Sequence, residues 1–219
     1  MVKKAFLVIG VGRFGSAVAR ALYEQGNEVV IIDNSEEDVE RLMDHVTHAV
    51  IADATDEEVL RRVGVANFDA VIVSIGANFE ANVLATVAAK SLGAKRIISK
   101  VTGEMSAAVL TKVGADEVIR PEHDMGTRLA QQLTTPALVD AFDLGTLHSV
   151  IEVAVPKNLV GSLADLRLPN RFNVQVIAVN RGGEVVASPG ATFELKTGDR
   201  VVLIGSNEAL HKFRDHLSG

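Results

Sequence analysis

Gly10-Val11-Gly12-Arg13-Phe14-Gly15 stands between an apolar run, Ala5–Ile9, and a helical pattern that begins at Arg13. A G-x-G-x-x-G spacing alone says little. Placed directly after a strand and at the opening of a helix, it gives each glycine a physical role. Gly10 makes the tight turn, Gly12 lets a pyrophosphate approach the backbone, and Gly15 lets the helix pack on the sheet. The helix N-terminus offers unpaired N–H groups and a partial positive charge to phosphates. Asp33 follows the next apolar run, Glu28–Ile32, and lies 18 residues beyond Gly15. That is near the spacing of about 20 expected for an acid that accepts hydrogen bonds from ribose hydroxyls. The same acid repels a 2′-phosphate, which argues against NADP. Arg13, inside the loop, can set a full positive charge beside the phosphates.

Outward from this loop, the first 120 or so residues alternate between Val/Ile-rich runs and helical patterns. Strands are predicted at Ala5–Ile9, Glu28–Ile32, Ala49–Ile51, Ala70–Ile75, Arg96–Val101 and Glu117–Ile119. Helices are predicted at Arg13–Gln25, Glu36–His45, Asp56–Val63, Asn78–Leu92 and Glu104–Val113. Apolar strands alternating with helices imply a parallel sheet covered on both faces, a doubly wound α/β domain of Rossmann type. Ser35-x-x-Asp38 and Thr55-x-x-Glu58 have capping-box spacing. Gly26, Gly64, Gly93 and Gly114 fall where a left-handed residue closes a helix. The acid runs Glu36-Glu37-Asp38 and Asp56-Glu57-Glu58 sit in first turns, where they complement the helix dipole and are not read as metal ligands. Asp53, Ser74 and Lys100 fall at further strand ends, where open parallel sheets bind ligands. Asp53 meets adenosine or begins a turn; Lys100 meets phosphate or is solvated. Residue type alone leaves both readings open.

After Pro121 the rhythm changes. Glu122–Phe142 reads as one long helix, with Thr134-Thr135-Pro136 the place where proline would interrupt it. His148–Val155 alternates as a strand and Leu159–Leu166 reads as a short helix. Asn173–Asn180 and Glu184–Ala187 flank a hairpin turn at Arg181-Gly182-Gly183; Arg200–Ile204 is a strand and Glu208–His216 a closing helix. The organisation expected is a nucleotide-binding domain over 1–121, a connecting helix over 122–145 and a small α+β domain over 146–219.

Composition bounds the function. The chain has 219 residues, 47% of them hydrophobic, and a net charge of -6, which disfavours a general nucleic-acid binder. With no cysteine, thiolate chemistry and disulfides are excluded. The N-terminal lysines and apolar run turn at once into the glycine loop and read as a strand, not a signal peptide. The six histidines have no metal-ligand spacing. Neither a P-loop lysine nor a catalytic His/Asp pattern is recognisable. A ligand site without recognisable catalytic equipment points to a sensor and not to an enzyme.

The glycine loop, the Asp53-Ala54-Thr55 turn and Pro121-Glu122-His123-Asp124-Met125-Gly126 together resemble the RCK family, whose members pair TrkA-N and TrkA-C domains. Leu159-Val160-Gly161-Ser162-Leu163 and Thr197-Gly198-Asp199-Arg200-Val201 extend the resemblance over essentially the whole chain. It implies a cytoplasmic regulatory subunit, peripheral to the inner face of the cell membrane through its partner, a membrane-embedded potassium transporter subunit. Homodimers would assemble into an octameric ring, with ATP and ADP competing for the N-terminal site. The residues so implied are Gly10, Gly12, Arg13, Phe14 and Gly15 of the loop, Asp33 and Ser35 at the ribose, and Asp53, Ala54, Ser74, Ile75 and Lys100 completing the pocket. Glu122 would approach the γ-phosphate of a neighbouring subunit and help hold a divalent cation, Mg or Ca. The C-terminal domain would be a dimeric receptor for cyclic di-AMP, with Arg171 and Asn173 as contacts.

Three alternatives use the same residues. One is an NAD(H)-sensing regulator of the same fold, and another a small NAD-dependent oxidoreductase. The third is a cytosolic piece of a ligand-gated potassium channel, against which the start at Met1 is expected to speak.

Overall fold

Strand segments with no polar interruption must be covered on both faces, and the chain arranges them accordingly. The computed structural model describes residues 3–76, 78–134 and 138–217. The chain divides into two compact units between His123 and Asp124.

The first unit carries six strands: β1 (Ala5–Ile9), β2 (Glu28–Asp33), β3 (His48–Ile51), β4 (Ala70–Val73), β5 (Ile97–Lys100) and β6 (Glu117–Ile119). They form one sheet in the order β3-β2-β1-β4-β5-β6, with every pairing parallel. All four residues of β4 are buried. Alternation along the strands separates two apolar layers. Val8, Val29, Ile31 and Ile72 join Ala19, Val39 and Leu42 from α1 (Arg13–Glu24) and α2 (Glu36–Leu42). Leu7, Ile9, Val71 and Val73 join Leu60, Ala85 and Ala89 from α3 (Glu57–Val63) and α4 (Phe79–Ser91). α5 (Glu104–Val113) packs through Leu110 on Val101 and Ala115. The expected α/β architecture is present, and the strand order reverses between β1 and β4, beside the glycine loop.

Local chemistry sets the helix ends. Ser35 Oγ accepts the Asp38 N–H at 3.3 Å, as its capping spacing predicts. Thr55 does not cap α3: Asp56 takes that position, its Oδ1 accepting the Glu58 N–H at 2.9 Å, because Thr55 is engaged by Asp53. Gly64 closes α3 at φ +78°, its N–H reaching Leu60 O at 3.1 Å. Gly26, Gly93 and Gly114 also have positive φ, as their positions imply.

The second unit differs from expectation in its first half. The helix begun at Pro121 ends at Thr134 as α6 (Pro121–Thr134), and Leu138–Asp143 is a strand, β7. Leu138 is buried at 4% exposure, and the segment pairs antiparallel with β8 (His148–Ala154), with a register shift between Leu138 and Asp140. Of Thr134-Thr135-Pro136, where the proline interruption was expected, Thr134 ends α6, and Thr135 and Pro136 lie outside the described residues. The segment expected as a connector thus gives a strand to the second unit's sheet. The helix expected over Leu159–Leu166 resolves into a two-residue strand β9 (Gly161–Ser162) and the short helix α7 (Leu163–Leu166). A further helix, α8 (Leu168–Phe172), follows it. β10 (Val174–Arg181) and β11 (Glu184–Ala187) form the predicted hairpin, with Gly182 and Gly183 both at positive φ. β12 (Glu194–Leu195) pairs with β9, and β13 (Arg200–Ser206) leads into α9 (Asn207–Leu217). The sheet order is β11-β10-β13-β8-β7. Phe213 and Leu210 of α9 and Leu168 of α8 fill its core.

Asp199 shows why the turn before β13 is acidic. Its side chain is 2% exposed, and it takes Arg181 Nε and Nη2 at 2.7 Å each and the Lys196 N–H at 2.8 Å. The Arg181 hydrogen bonds hold its carboxyl below the usual range, and the Lys196 N–H adds to them against the opposing effect of burial. A depressed folded value means that Asp199 contributes its full stability above the ordinary carboxylate range. That contribution is lost as pH falls through the folded value. Asp199→Asn is expected to cost about 1–3 kcal/mol near pH 7, since charge-assisted bonds are lost from a buried group. The deficit should shrink on acidification below pH 4, which thermal unfolding followed by circular dichroism at pH 7 and pH 3.5 would show.

The seating of α1 makes a second prediction. A Cβ on Gly15 would fall 1.9 Å from Gly10 O and 2.6 Å from Ser74 Oγ. Backbone on one side cannot yield cheaply, so Gly15→Ala should destabilise the first unit by about 3 kcal/mol. Gly12→Ala, whose Cβ meets nothing within 4 Å, should leave the unfolding midpoint nearly unchanged.

Candidate functional site

The carboxyl ends of β1, β2, β4 and β5 open onto a cavity of about 630 Å³, within the range of small-molecule sites. Its floor is the glycine loop. Gly10 turns at φ +86°, its N–H bonded to Ile32 O at 2.9 Å, and a Cβ there would press on the backbone of Ser74 and Ile75 at 3.0 Å. Gly12 precedes the first turn of α1 and faces open space, so the backbone can be approached there. α2, α3 and α4 all carry a side-chain cap and an acid in the first turn; α1 has neither. Its N-terminal N–H groups therefore keep their capacity for an anion.

Charge is divided across the cavity. Arg13, Lys100 and Glu122 line it, as do Asp33, Asp38 and Asp53, which lie at or beyond the ends of β2 and β3, on the other side of β1 from Lys100 at the end of β5. Asp33 already serves the scaffold: Oδ2 accepts the Val11 N–H at 2.7 Å and Oδ1 the Ser35 N–H at 2.9 Å. Each oxygen keeps a lone pair for a hydroxyl, and its bond to Val11 ties the end of β2 to the loop. Asp53 both lines the cavity and builds its own turn, with Oδ1 accepting the Thr55 N–H at 2.9 Å and hydroxyl at 2.8 Å. Those bonds, the backbone N–H foremost, lower its pKa. Ser74 is 6% exposed and donates to Gly10 O, so its hydroxyl clasps the loop to β4.

Lys100 is positioned by a buried amide. Asn82 of α4 is 1% exposed and its Nδ2 donates to Lys100 O at 2.9 Å and to Ile75 O at 3.1 Å, joining the ends of β5 and β4. The Lys100 ammonium lies 5.8 Å from the Phe14 ring centroid and 2.6 Å from Glu122 Oε1. That hydrogen bond, with lesser help from the Arg13 charge, lowers the Glu122 pKa.

Of the predicted residues, Gly10, Gly12, Arg13, Phe14, Asp33, Asp53, Ala54, Ser74, Ile75, Lys100 and Glu122 come together around this cavity. Two do not line it. Gly15 lies buried beneath the loop, in the packing role its spacing implies, and Ser35 is spent as the cap of α2. The cavity also takes in Asn34, Asp38, Gly76, Asn78 and Thr102. Each lies within five residues of the end of β2, β4 or β5, so strand-end position was their only signal. Among the described residues no group of three His, Asp or Glu could hold a metal ion. A cation at Glu122 would thus need a ligand's phosphates to complete its coordination.

In the second unit, Asn173 ends α8 in the left-handed region at φ +57°, its N–H reaching Pro169 O at 3.0 Å. Arg171 lies over the Phe172 ring at 4.9 Å, with Nη2 3.4 Å from His216 Nε2. The two residues expected as ligand contacts are close together at the end of α8, one shaping the backbone and the other exposed. Among the described residues, no helix is long and apolar enough to cross a membrane.

Comparison with known proteins agrees with this layout. The TrkA-N domain model matches residues 6–121 and the TrkA-C domain model residues 150–218. The chain is 39% identical over 212 residues to Ktr system potassium uptake protein C of Bacillus subtilis (strain 168), covering 96% of each chain. It is 36% identical over 208 residues to Ktr system potassium uptake protein A of Vibrio alginolyticus, covering 94% of each. Among solved structures, the GsuK channel bound to NAD shares its fold with a TM-score of 0.68 at 18% identity, over 100% of this chain and 40% of that one. Both domains matched in order, along relatives of nearly equal length, place the chain in the RCK family of TrkA-N/TrkA-C proteins.

Proposed function

We propose that this chain is a regulatory subunit that binds ATP and ADP over the glycine loop and gates potassium passage through a membrane-embedded transporter subunit. The observation that carries the reading is the near full-length match to Ktr system potassium uptake proteins, whose names describe potassium uptake and no catalysis. The cavity supports it. An uncapped helix N-terminus and two cations at one end suit phosphates, and Asp33 keeps acceptor capacity for a ribose. In this reading homodimers assemble into an octameric ring at the inner face of the membrane. Glu122 helps to hold a Mg or Ca ion against the nucleotide phosphates. Cyclic di-AMP is a second ligand, for the TrkA-C domain, near Arg171 and Asn173.

Gating follows from differential binding. A nucleotide shifts a conformational equilibrium only as far as its affinities for the two states differ. A γ-phosphate that adds contacts in one ring shape and not in another supplies such a difference, so ATP favours the conducting state and ADP does not.

A second reading, NAD(H) sensing, is favoured by the extent of the cavity. It continues past the glycine loop to Asn78 and Thr102 at the ends of β4 and β5, on the side of the strand-order reversal where the second half of a dinucleotide lies.

Arg13→Ala tests the phosphate end. Arg13 makes no hydrogen bond or ion pair among the described residues, so its removal should leave the unfolding midpoint unchanged. ATP affinity should fall by roughly tenfold or more, the scale of a lost charge-assisted contact. In cells that depend on the partner transporter, potassium uptake should require this chain and should drop in the variant. Unchanged ATP affinity would overturn the assignment of the pocket.

A further inference from the structure

Lys100 and Arg13 are both cations of the phosphate end, but they are held differently. The Lys100 side chain is 11% exposed, its carbonyl is fixed by Asn82, and its ammonium lies between the Phe14 ring and the Glu122 carboxylate. Glu122, the second residue of α6, is 58% exposed and can swing into solvent at little cost. The lysine is therefore the fixed member of the pair and the glutamate the mobile one.

This arrangement sets a conflict for an anion over the glycine loop. A phosphate at the N-terminus of α1 would share the cavity wall with Lys100 and seek the same ammonium. It would also meet the Glu122 carboxylate as a like charge, in a setting less screened than open water. With Lys100 paired to Glu122, Arg13 is the cation lining the cavity that is held in no ion pair among the described residues, although its charge also acts on Glu122.

We propose that Glu122 is an internal competitor for nucleotide phosphates: it occupies the Lys100 ammonium until a phosphate displaces it, and so sets the affinity of the pocket downward. This rests on the nucleotide reading of the cavity and adds a role for Glu122 that needs no metal. The exchange is a swap of ion-pair partners. Lys100 passes from carboxylate to phosphate, and the freed carboxylate turns to solvent. A consequence is that the first turn of α6, the helix within which the two units divide, carries a charge whose partner depends on phosphate occupancy.

The test is titration of the full chain with ADP in EDTA, so that no divalent cation takes part, for wild type, Glu122→Gln, Lys100→Gln and the double variant. Circular dichroism confirms that each is folded. Competition predicts that Glu122→Gln binds ADP roughly three- to tenfold tighter than wild type, the scale of a partly exposed ion pair plus the relieved repulsion. Lys100→Gln should bind more weakly, and in that background the glutamate substitution should gain clearly less. Equal or weaker ADP binding by Glu122→Gln would overturn the proposal. An equal gain with and without Lys100 would also overturn it, since Glu122 would then act as a general charge and not through the lysine. If wild type itself failed to bind ADP, the nucleotide reading would fail and the competitor with it. Wild-type binding without the predicted gain removes the competitor alone.

Discussion

The close seating of α1 on the glycine loop is the constraint on which the site depends. Gly10 must turn at positive φ against the end of β4, and Gly15 must lie against Gly10 O with no side chain between them. Only then does the first turn of α1 end, without a cap, at the edge of the cavity. Ser74 and Asp33 hold this geometry from two sides, one bonding Gly10 O and the other the Val11 N–H. Two residues that look like ligand contacts by type are thus also clasps of the scaffold, and a variant at either would disturb shape and binding together. Arg13 and Gly12 lack that double duty, which makes them the cleaner probes.

The charges around the cavity are set by what each strand end already has to satisfy. Asp53 builds the turn into α3 and Ser35 caps α2, so backbone N–H groups take their acceptors before any ligand does. Lys100 is held against Glu122 by a 2.6 Å ion pair, while Arg13 acts on the same carboxylate only at longer range. In the proposed competition, phosphate binding would be an exchange of partners as much as a gain of contacts. Exchanges of that kind give two states of similar energy, which is what a regulator needs and what a tight structural cofactor site would avoid.

Much of the first unit was legible in the chain because its signals are local and periodic. Apolar strands such as Ala70–Val73 admit one environment, and G-x-G-x-x-G between strand and helix admits few geometries. Eleven of the thirteen residues expected at the site line one cavity, because strand ends and the glycine loop converge in this topology. Ser35 does not line the cavity and caps α2, since a serine at a strand end can serve as a helix cap as readily as a ribose contact. Asn78 and Thr102 were missed because their residue types carry no distinctive chemistry. The second unit was less legible where pairing is long-range. Leu138–Asp143 continues a helical stretch by composition, and only its antiparallel partner, β8, makes it a strand. The Asp199 clamp on Arg181 spans 18 positions and could not be inferred from either residue alone.

The measurement that bears most directly on the account is isothermal titration of the purified chain with ATP, ADP and NADH in turn, with and without Mg. A nucleotide-gated regulator should bind ATP at micromolar concentration, more tightly when Mg is present, with ADP competing for the same site. Binding of NADH alone, with neither adenine nucleotide taken up, would contradict the account and turn the pocket into a dinucleotide sensor.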